Sequence, residues 1–338
     1  MTTEERKTYP YRSEILFLYD VFRCNPNGDP FENRPRQDPT TGRIDVTDVR
    51  LKRTIRDYIL DYKHQPGKDD NLDIFVQVAG ERPLTAENRY KEMFGELPKR
   101  DQIGEARKKL ITQCVDVRSF GALIPITEKG EEKGAGIQIT GAVQFNPGQS
   151  LHEVEVMEIA GTGGFASREA AGQKTFRREF IVPYALIGFY GVINENLAKE
   201  SGLSEDDVKL LMEAIWEGTL ALHSRSKAFH HPRLLVRLDY TGQRQCGYFL
   251  DKLVLKNRVN KEKEIRSPKD YTLDIAPWLA EVKKVKDEKD KDGKTGDHIK
   301  GVYCRLDSGL PLVKDENTVN LEEELKMLTT GVLEFVQR

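Results

Sequence analysis

The spacing of apolar and polar positions along the chain predicts a mixed α/β protein. Residues 14–22 form an apolar run of strand length, which ends at the turn-rich residues 25–30. Residues 47–63 then carry apolar side chains at helical spacing behind Thr47, a candidate N-cap. Further strands are predicted at residues 115–123, 137–145, 180–193 and 234–238, and an edge strand at 247–255.

Each of the two predicted core helices has one apolar stripe, which we expect to be buried. The stripe of the first helix consists of Leu51, Ile55, Tyr58, Ile59 and Tyr62. The second helix begins at Ser204, with Asp207 completing an approximate capping box. Its stripe consists of Val208, Leu211, Met212, Ile215 and Leu222, which is typical of core packing and not of a cofactor site. The order strand-helix-strand-strand-helix-strand predicts a ferredoxin-like, RRM-like core.

Polar segments interrupt this core. Residues 64–113 hold a turn-rich stretch and a basic helix at 103–113, and residues 283–296 alternate in charge. Residues 146–179 carry few apolar side chains after Val156, and a loop of this length inside a compact domain is usually functional. At the end of the chain, residues 321–335 have apolar positions at helical spacing, which predicts an amphipathic helix docked on the body.

Composition narrows the class of protein. With 338 residues and a net charge of -2, the chain is long enough for one large domain with insertions. It has no signal-peptide core and no membrane-spanning apolar run, so we expect a soluble, cytoplasmic protein. The four cysteines lie far apart without CxxC spacing, which indicates reduced thiols and no zinc ribbon. The His230 and His231 pair has no partner at metal-motif spacing, so we expect a loop pair, no metal and no cofactor.

A near-neutral charge does not exclude nucleic acid, because binding needs a basic stripe and not a basic chain. Three basic groups flank the core or its longest loop: Arg34, Arg36, Arg50, Lys52, Arg53 and Arg56 in the first loop and helix; Arg168, Lys174, Arg177 and Arg178 in the long loop; Arg225 and Lys227 after the second helix. Each group alone is typical of a solvated surface. Together they are consistent with contacts along a sugar-phosphate backbone.

Four motifs, in order along the chain, resemble those of the Cas-seven family, the backbone subunits of CRISPR Cascade complexes, with subtype I-B the closest. The opening motif is long and specific: NPNGDP at 25–30, RPR at 34–36 and TDVRLKRTIRDY at 47–58. The others are DVRSFG at 116–121, FIVPYAL at 180–186 and LHSRS at 222–226, of which the last is weak alone. The resemblance covers roughly residues 14–240 and does not extend to the C-terminal third.

The resemblance implies one RRM-like palm domain over residues 1–338. Its insertions would be a fingers-like segment at 64–113, a β-hairpin thumb at 146–179 and a charged loop region at 257–300. Several copies would form a helical filament on a guide RNA, with each thumb reaching across the next copy and kinking the guide. Phe165 is the candidate side chain at the kink, although it would serve as well to anchor the hairpin to its own domain. Besides the basic residues above, the matched motifs imply RNA contacts for Asn25, Asn27 and Arg118.

The implied function is to bind guide crRNA through phosphate and ribose, which leaves the base edges free to pair with target DNA in antiviral defence. Implied partners are the guide, target DNA through the guide, further copies of the chain, a guide-processing endonuclease, a subunit holding the five-prime handle and a large subunit, without a membrane. No catalytic residue is expected. The alternative is a metal-dependent ribonuclease of the type III kind that uses a loop aspartate, drawn from Asp29, Asp38, Asp45 and Asp48. A third hypothesis is a single-copy RNA-binding module.

Overall fold

The computed structural model describes residues 6–65, 71–77, 85–126, 135–166, 174–224, 226–289, 298–329 and 331–337, and at residues 135, 162–166 and 174–177 it describes the backbone alone. Within these ranges the fold is mixed α/β, which confirms the predicted fold class. No helix in the same ranges is long and apolar enough to cross a membrane.

The strands and helices are numbered in chain order. The strands are β1 (Arg12–Cys24), β2 (Asp45–Val46), β3 (Gly121–Ile126), β4 (Ala135–Thr140), β5 (Val143–Phe145), β6 (Gly148–Ser150), β7 (Met157–Ala166), β8 (Lys174–Ile193), β9 (His230–Tyr240), β10 (Val254–Asn257), β11 (Tyr271–Asp274), β12 (Ile299–Leu306), β13 (Leu312–Lys314), β14 (Asn317–Thr318) and β15 (Val332–Gln337). The α-helices are α1 (Asp48–Tyr62), α2 (Ala86–Phe94), α3 (Ile103–Gln113), α4 (Val115–Phe120), α5 (Glu195–Ser201), α6 (Glu205–Ala221), α7 (Ala276–Lys286) and α8 (Leu321–Leu328).

The chain divides into two compact units. The first comprises residues 1–13, 51–144 and 191–221, and the second comprises residues 14–50, 145–190 and 222–338. Parts of the three predicted insertions, at residues 66–70, 78–84, 167–173 and 290–297, lie outside the described residues. The predicted boundaries of palm, fingers, thumb and charged loop region stay predictions.

The nine-stranded main sheet has the strand order of a ferredoxin-like fold. Its hydrogen-bonded order is β15-β12-β9-β1-β8-β6-β2, and β5 and β7 also pair with β8. Helix α1 follows β1 in the chain, and α6 comes between β8 and β9. The order β9-β1-β8-β6 is the 4-1-3-2 order of a ferredoxin-like sheet, but β8 takes the third position, which was predicted for residues 137–145. All residues of β1 from Ser13 to Val21 are buried, which explains why this strand has a continuous apolar run.

The predicted strand at 115–123 is wrong. Residues Val115–Phe120 form helix α4, and only the following Gly121–Ile126 is a strand. Alternation of apolar and polar residues predicts one exposed face, but all five residues from Val115 to Ser119 are buried. Gly121, at φ 83°, ends the helix in a backbone conformation that favours glycine. The second-strand position in the main sheet belongs instead to the short strand β6.

The predicted strand at 137–145 is two strands separated by Gly141 and Ala142. The first of them, β4, pairs with β3 in a small antiparallel sheet of the first unit, away from the main sheet. Gly141 packs against the end of helix α4: a Cβ built on it would lie 2.3 Å from the carbonyl carbon of Phe120 and 2.4 Å from the carbonyl oxygen of Ser119. The backbone turns here because two backbone segments meet without room for a side chain.

Three other expectations are corrected in the second unit. The predicted terminal helix ends at Leu328, and β15 adds to the main sheet, parallel to β12. Between them the Thr329 hydroxyl donates to the carbonyl of Ile299, which directs the chain toward the sheet edge. Only β10 of the predicted edge strand at 247–255 is extended, and it belongs to the separate four-stranded sheet β10-β11-β13-β14. The His230 and His231 pair begins strand β9 and is not in a loop.

The two helical stripes are largely confirmed. Four of the five predicted residues of α1 are buried, whereas Tyr62 is 62% exposed because it lies at the end of the helix. In α6, Leu222 falls beyond the last helical residue. The capping box is confirmed: the Asp207 N–H donates to the Ser204 hydroxyl at 3.1 Å and the Ser204 N–H to the Asp207 carboxylate at 2.9 Å.

Replacing Gly141 by alanine should lower the free energy of unfolding by about 1–3 kcal/mol, because the added methyl group meets backbone atoms that cannot rotate away. Gly104 is the matched control: it lies in helix α3 with nothing within 4 Å of a built Cβ. Gly104→Ala should raise the free energy of unfolding by about 0.5–1 kcal/mol, since it removes a helical glycine. Urea denaturation of both variants measures the difference, and equal effects would contradict the close approach at Gly141.

Candidate functional site

The loop after β1 is built by asparagine and aspartate side chains that bind its own backbone. The Asp29 carboxylate accepts N–H groups from Phe31, Glu32 and Arg34 at 2.7–3.0 Å, and the hydrogen bonds from Glu32 and Phe31 lower its pKa. The Asp38 carboxylate similarly accepts the N–H of Thr40 at 2.8 Å, which lowers the pKa of Asp38. Both carboxylates therefore serve as turn formers.

Asn27 connects this loop to helix α1. Its side-chain oxygen accepts both the N–H and the hydroxyl of Thr47 at 2.9 Å. Thr47 in turn accepts the N–H of Arg50 at 3.3 Å, as an N-cap does. The predicted RNA-binding residue Asn27 therefore positions the start of the helix, and its side-chain oxygen is already engaged.

Asn25 is 1% exposed and donates two hydrogen bonds to backbone carbonyls. Its N–H donates to the carbonyl of Ser226 at 2.8 Å, and its Nδ2 donates to the carbonyl of Asn33 at 2.6 Å. No described residue donates to its Oδ1, which is buried. A buried acceptor left unpaired costs about 1–3 kcal/mol, so this atom is a candidate for contact with a ligand.

A groove of ≈ 530 Å³ in the second unit brings together all three predicted segments. It is lined by Arg23 and Asn25 from the end of β1, Glu32 and Asn33 from the first loop, Ile159, Arg178, Glu179, Phe180 and Ile181 from strands β7 and β8, and Ser224 and Ser226 from the connection after α6. The convergence of these segments, which lie far apart in sequence, is the main feature of the candidate site.

Arg178 lines this groove, and Arg34 contacts Phe180, another of its lining residues. Arg178 is 77% exposed and lies 3.4 Å from Glu158, so its guanidinium is only loosely held. The Arg34 guanidinium lies over the Phe180 ring at 5.2 Å, a cation–π contact that fixes it at the base of the β7–β8 hairpin. Both residues belong to the predicted set, and the structure places them with the same hairpin.

Arg50, Lys227 and His230 form a second positive cluster in the second unit. Burial and the neighbouring Arg50 lower the pKa of Lys227. Burial, Lys227 and Arg50 together lower the pKa of His230 to about 3, so the imidazole is neutral at pH 7. An anion bound beside Lys227 would offset the repulsion from Arg50 that lowers the pKa of Lys227, which makes Lys227 a candidate phosphate contact.

In the first unit, Phe120 organises the cations of helix α1. Lys52 and Arg56 lie over its ring at 5.5 and 5.2 Å. Arg53 pairs with Asp57 one turn later at 2.7 Å and is about one-third exposed. Lys52 and Arg53 are therefore the two cations of this helix that stay at the surface of the first unit.

Arg56 and Arg118 are interior residues, which argues against their predicted assignment to RNA contact. Arg56 is 8% exposed and donates to Asp116 at 2.8 Å. Arg118 is 1% exposed and binds both carboxylate oxygens of Asp207 at 2.8 Å. Its remaining N–H groups donate to the carbonyls of Ile111, Thr112 and Asn71. A guanidinium so fully paired has no donor left for a phosphate.

The other predicted residues are placed only in part. Arg36 is half-buried, and its N–H donates to the carbonyl of Asn27 at 3.2 Å. Arg168 and Arg225 lie outside the described residues, as do the side chains of Phe165, Lys174 and Arg177. Their assignments stay predictions.

Comparison with known proteins identifies the family. A family model described as CRISPR-associated protein Cas7 matches residues 11–276. A curated CRISPR-associated protein Cas7 from Haloferax volcanii is 32% identical over 309 residues, which cover 85% of this chain and 87% of the relative. The chain belongs to the Cas7 family.

Solved structures that contain a chain similar to this one include two with TM-scores below 0.5. One, titled CRISPR RNA-guided surveillance complex, pre-nicking, has a TM-score of 0.47 and 12% identity over 94% of this chain and 99% of that chain. Another, a Type III-B Cmr-beta bound to cognate target RNA, has a TM-score of 0.35 and 12% identity over 67% of this chain and 60% of that chain. The family assignment rests on the two sequence matches.

Sequence reasoning missed several residues of the Cas7 chain's groove. Arg23, Ser224 and Ser226 line it. Arg23 is a cation directly before the turn-rich loop, and the two serines lie in the motif LHSRS at 222–226, which was noted without a role for either serine. His230 was assigned to a loop, whereas it lies buried beside Lys227 and Arg50. Periodicity does not find these residues, because they come from segments that meet only in the folded chain.

For the Cas7 chain, Arg118→Ala should lower the free energy of unfolding by about 3–5 kcal/mol, because Asp207 would stay buried without its partner. Arg178→Ala, the matched exposed control, should change it by no more than about 0.5 kcal/mol. Chemical denaturation followed by tryptophan fluorescence measures both. Equal stability of the two variants would contradict the buried ion pair of Arg118 with Asp207 and would indicate that Arg118 lies at the surface.

Proposed function

We propose that this chain is a Cascade backbone subunit of a type I CRISPR complex, with subtype I-B the closest. It binds guide crRNA through phosphate and ribose, oligomerises along the guide and presents it for pairing with target DNA in antiviral defence. Family membership supports the class of complex. The single observation that carries the binding role is the groove where the first loop, the β7–β8 hairpin and the residues after α6 meet.

The chemistry of the groove favours contact with the nucleic-acid backbone. Its cations, Arg23 and Arg178, suit phosphates, and the hydroxyls of Ser224 and Ser226 suit phosphate or ribose oxygens. The nearby Lys227 and Arg50 offer a further phosphate position. Contacts of this kind carry no sequence information, as a subunit that must accept any guide requires.

The β7–β8 hairpin is the element proposed as the thumb. Its arms pair antiparallel from Met157 opposite Ile181 to Ala166 opposite Lys174. The first part of the predicted segment, up to Ser150, is instead β6 of the main sheet. The proposed thumb is therefore shorter than residues 146–179, and it begins at Met157. It would contact the next copy of the chain along the guide.

We propose a non-catalytic role for the chain. The type III alternative needs a loop carboxylate that can hold a metal near the scissile phosphate. Asp29 and Asp38 accept backbone N–H groups, and Asp45 accepts the Gln149 amide at 3.0 Å, so each already has a structural role. The remaining proposed partners are the guide-processing endonuclease, the subunit at the five-prime handle and the large subunit, in the cytoplasm.

Removing the positive charge of Lys227 should weaken RNA binding equally for unrelated sequences. We expect Lys227→Met and Lys227→Glu to reduce affinity for two unrelated single-stranded RNAs of equal length, with the slope of log K against log salt falling by ~0.7 per lost phosphate contact. Fluorescence anisotropy across a salt series measures this. The control is Lys199→Glu, the same charge change on the exposed face of α5.

Two outcomes would contradict this proposal. If the Lys227 variants lost affinity for one RNA and kept it for the other, the cluster would read bases. If Lys199→Glu weakened binding as much as Lys227→Glu, only overall charge would matter. A melting measurement on each variant checks that the fold persists.

Deleting residues 161–173 should leave the fold intact and abolish multimer formation on RNA. The segment has few apolar side chains and its described backbone pairs in the β7–β8 hairpin, so we expect little apolar surface to be lost. Co-expression with a repeat-spacer array followed by size-exclusion chromatography measures the assembly, and thermal melting measures the fold. A variant that still assembles with RNA but melts several degrees lower would show that the hairpin belongs to the core.

A further inference from the structure

Asn25 differs from the other asparagines of the first loop because one of its side-chain atoms has a fixed direction and no protein donor. The Nδ2 group is committed to the Asn33 carbonyl at 2.6 Å, and the N–H to the Ser226 carbonyl at 2.8 Å. The planar amide then directs Oδ1 away from Asn33. Across the described residues, nothing donates to this oxygen.

The surroundings of Asn25 suit a sugar-phosphate unit. Asn25 lines the groove together with Arg23, Arg178, Ser224 and Ser226. The volume of ≈ 530 Å³ falls within the range of small-ligand sites. The guanidinium groups of Arg23 and Arg178, which line the same groove, suit the phosphates of such a unit.

The ligand atom that meets Oδ1 must be a hydrogen-bond donor. A phosphate diester has no proton to donate, so it cannot serve. Base amino groups do donate hydrogen bonds, but their presence at a given position depends on the sequence of the guide. The proposed function requires the chain to bind a guide of any sequence. The 2′-hydroxyl is a donor that every ribonucleotide carries and no deoxyribonucleotide carries.

We propose that Asn25 Oδ1 accepts a hydrogen bond from the 2′-hydroxyl of one ribose, so that this groove selects RNA over DNA of the same sequence. The inference rests on the proposed RNA-binding function and adds to it a residue that determines specificity. Binding would also give the buried oxygen a partner, which no described residue supplies.

The experiment compares three single strands of one sequence on the full-length protein: RNA, 2′-fluoro RNA and DNA. The fluoro sugar keeps an RNA-like shape but cannot donate, so it separates hydrogen bonding from sugar conformation. We expect wild-type protein to bind RNA about tenfold tighter than either analogue at this contact, the usual effect of losing one hydrogen bond. Anisotropy titrations at one salt concentration measure all three.

The matched variants are Asn25→Ala and Glu32→Gln, two residues of the same groove. Asn25→Ala should reduce the RNA-to-fluoro ratio about tenfold, toward one, and Glu32→Gln, whose side chain has no proposed contact with the ribose, should preserve it. Because the ratio is taken within one protein preparation, a partly unfolded variant lowers both affinities and leaves the ratio unchanged.

Each contrary result has its own meaning. An unchanged ratio in Asn25→Ala, or 2′-fluoro RNA that binds wild-type protein as tightly as RNA, would overturn the role of Asn25 while the proposed function stands. If the wild-type protein bound none of the three strands, the proposed function would fail, and this inference with it.

Discussion

The arrangement of the first unit depends on two arginines whose charges are neutralised inside the protein. Arg118 donates hydrogen bonds to Asp207 and to three backbone carbonyls, and Arg56 donates to Asp116. Asp116 also accepts the N–H groups of Phe75 and Val76. Since a buried charge is tolerated only when it is paired, these bonds fix α1, α4, α6 and the residues around 75 in one relative arrangement.

This internal network changes the meaning of the DVRSFG motif at 116–121. The motif supports the family assignment, and its charged residues Asp116 and Arg118 form hydrogen bonds inside the fold. Phe120, the aromatic residue of the motif, lies under both Arg56 and Lys52. The motif thus affects the surface of the first unit indirectly, because its Phe120 ring positions the ammonium group of Lys52.

In the second unit the candidate site arises from segments that are distant in sequence. The end of β1, the hairpin formed by β7 and β8, and residues 224–226 contribute side chains to one groove. The short polar side chains of the first loop hold it rigid from within, through Asn27 on Thr47 and Asp29 on three N–H groups. A rigid loop keeps the Asn25 oxygen and its neighbours in place before a ligand arrives, which lowers the entropy lost on binding.

Local pattern determined a large part of this protein. Apolar spacing and turn chemistry, which act over a few residues, predicted strand β1, helix α1 and the capping box at Ser204, but they assigned the second and third core strands to the wrong residues. Only the tertiary structure decided that residues 115–120 are helical, that Arg56 and Arg118 are interior, and that residues 332–337 join the main sheet. The physical reason is that these outcomes depend on partners far along the chain: Asp116 needs Phe75, Arg118 needs Asp207, and β15 needs the exposed edge of β12. A pattern of apolar and polar residues indicates which side chains are buried. It does not indicate which acidic and basic side chains pair inside the protein.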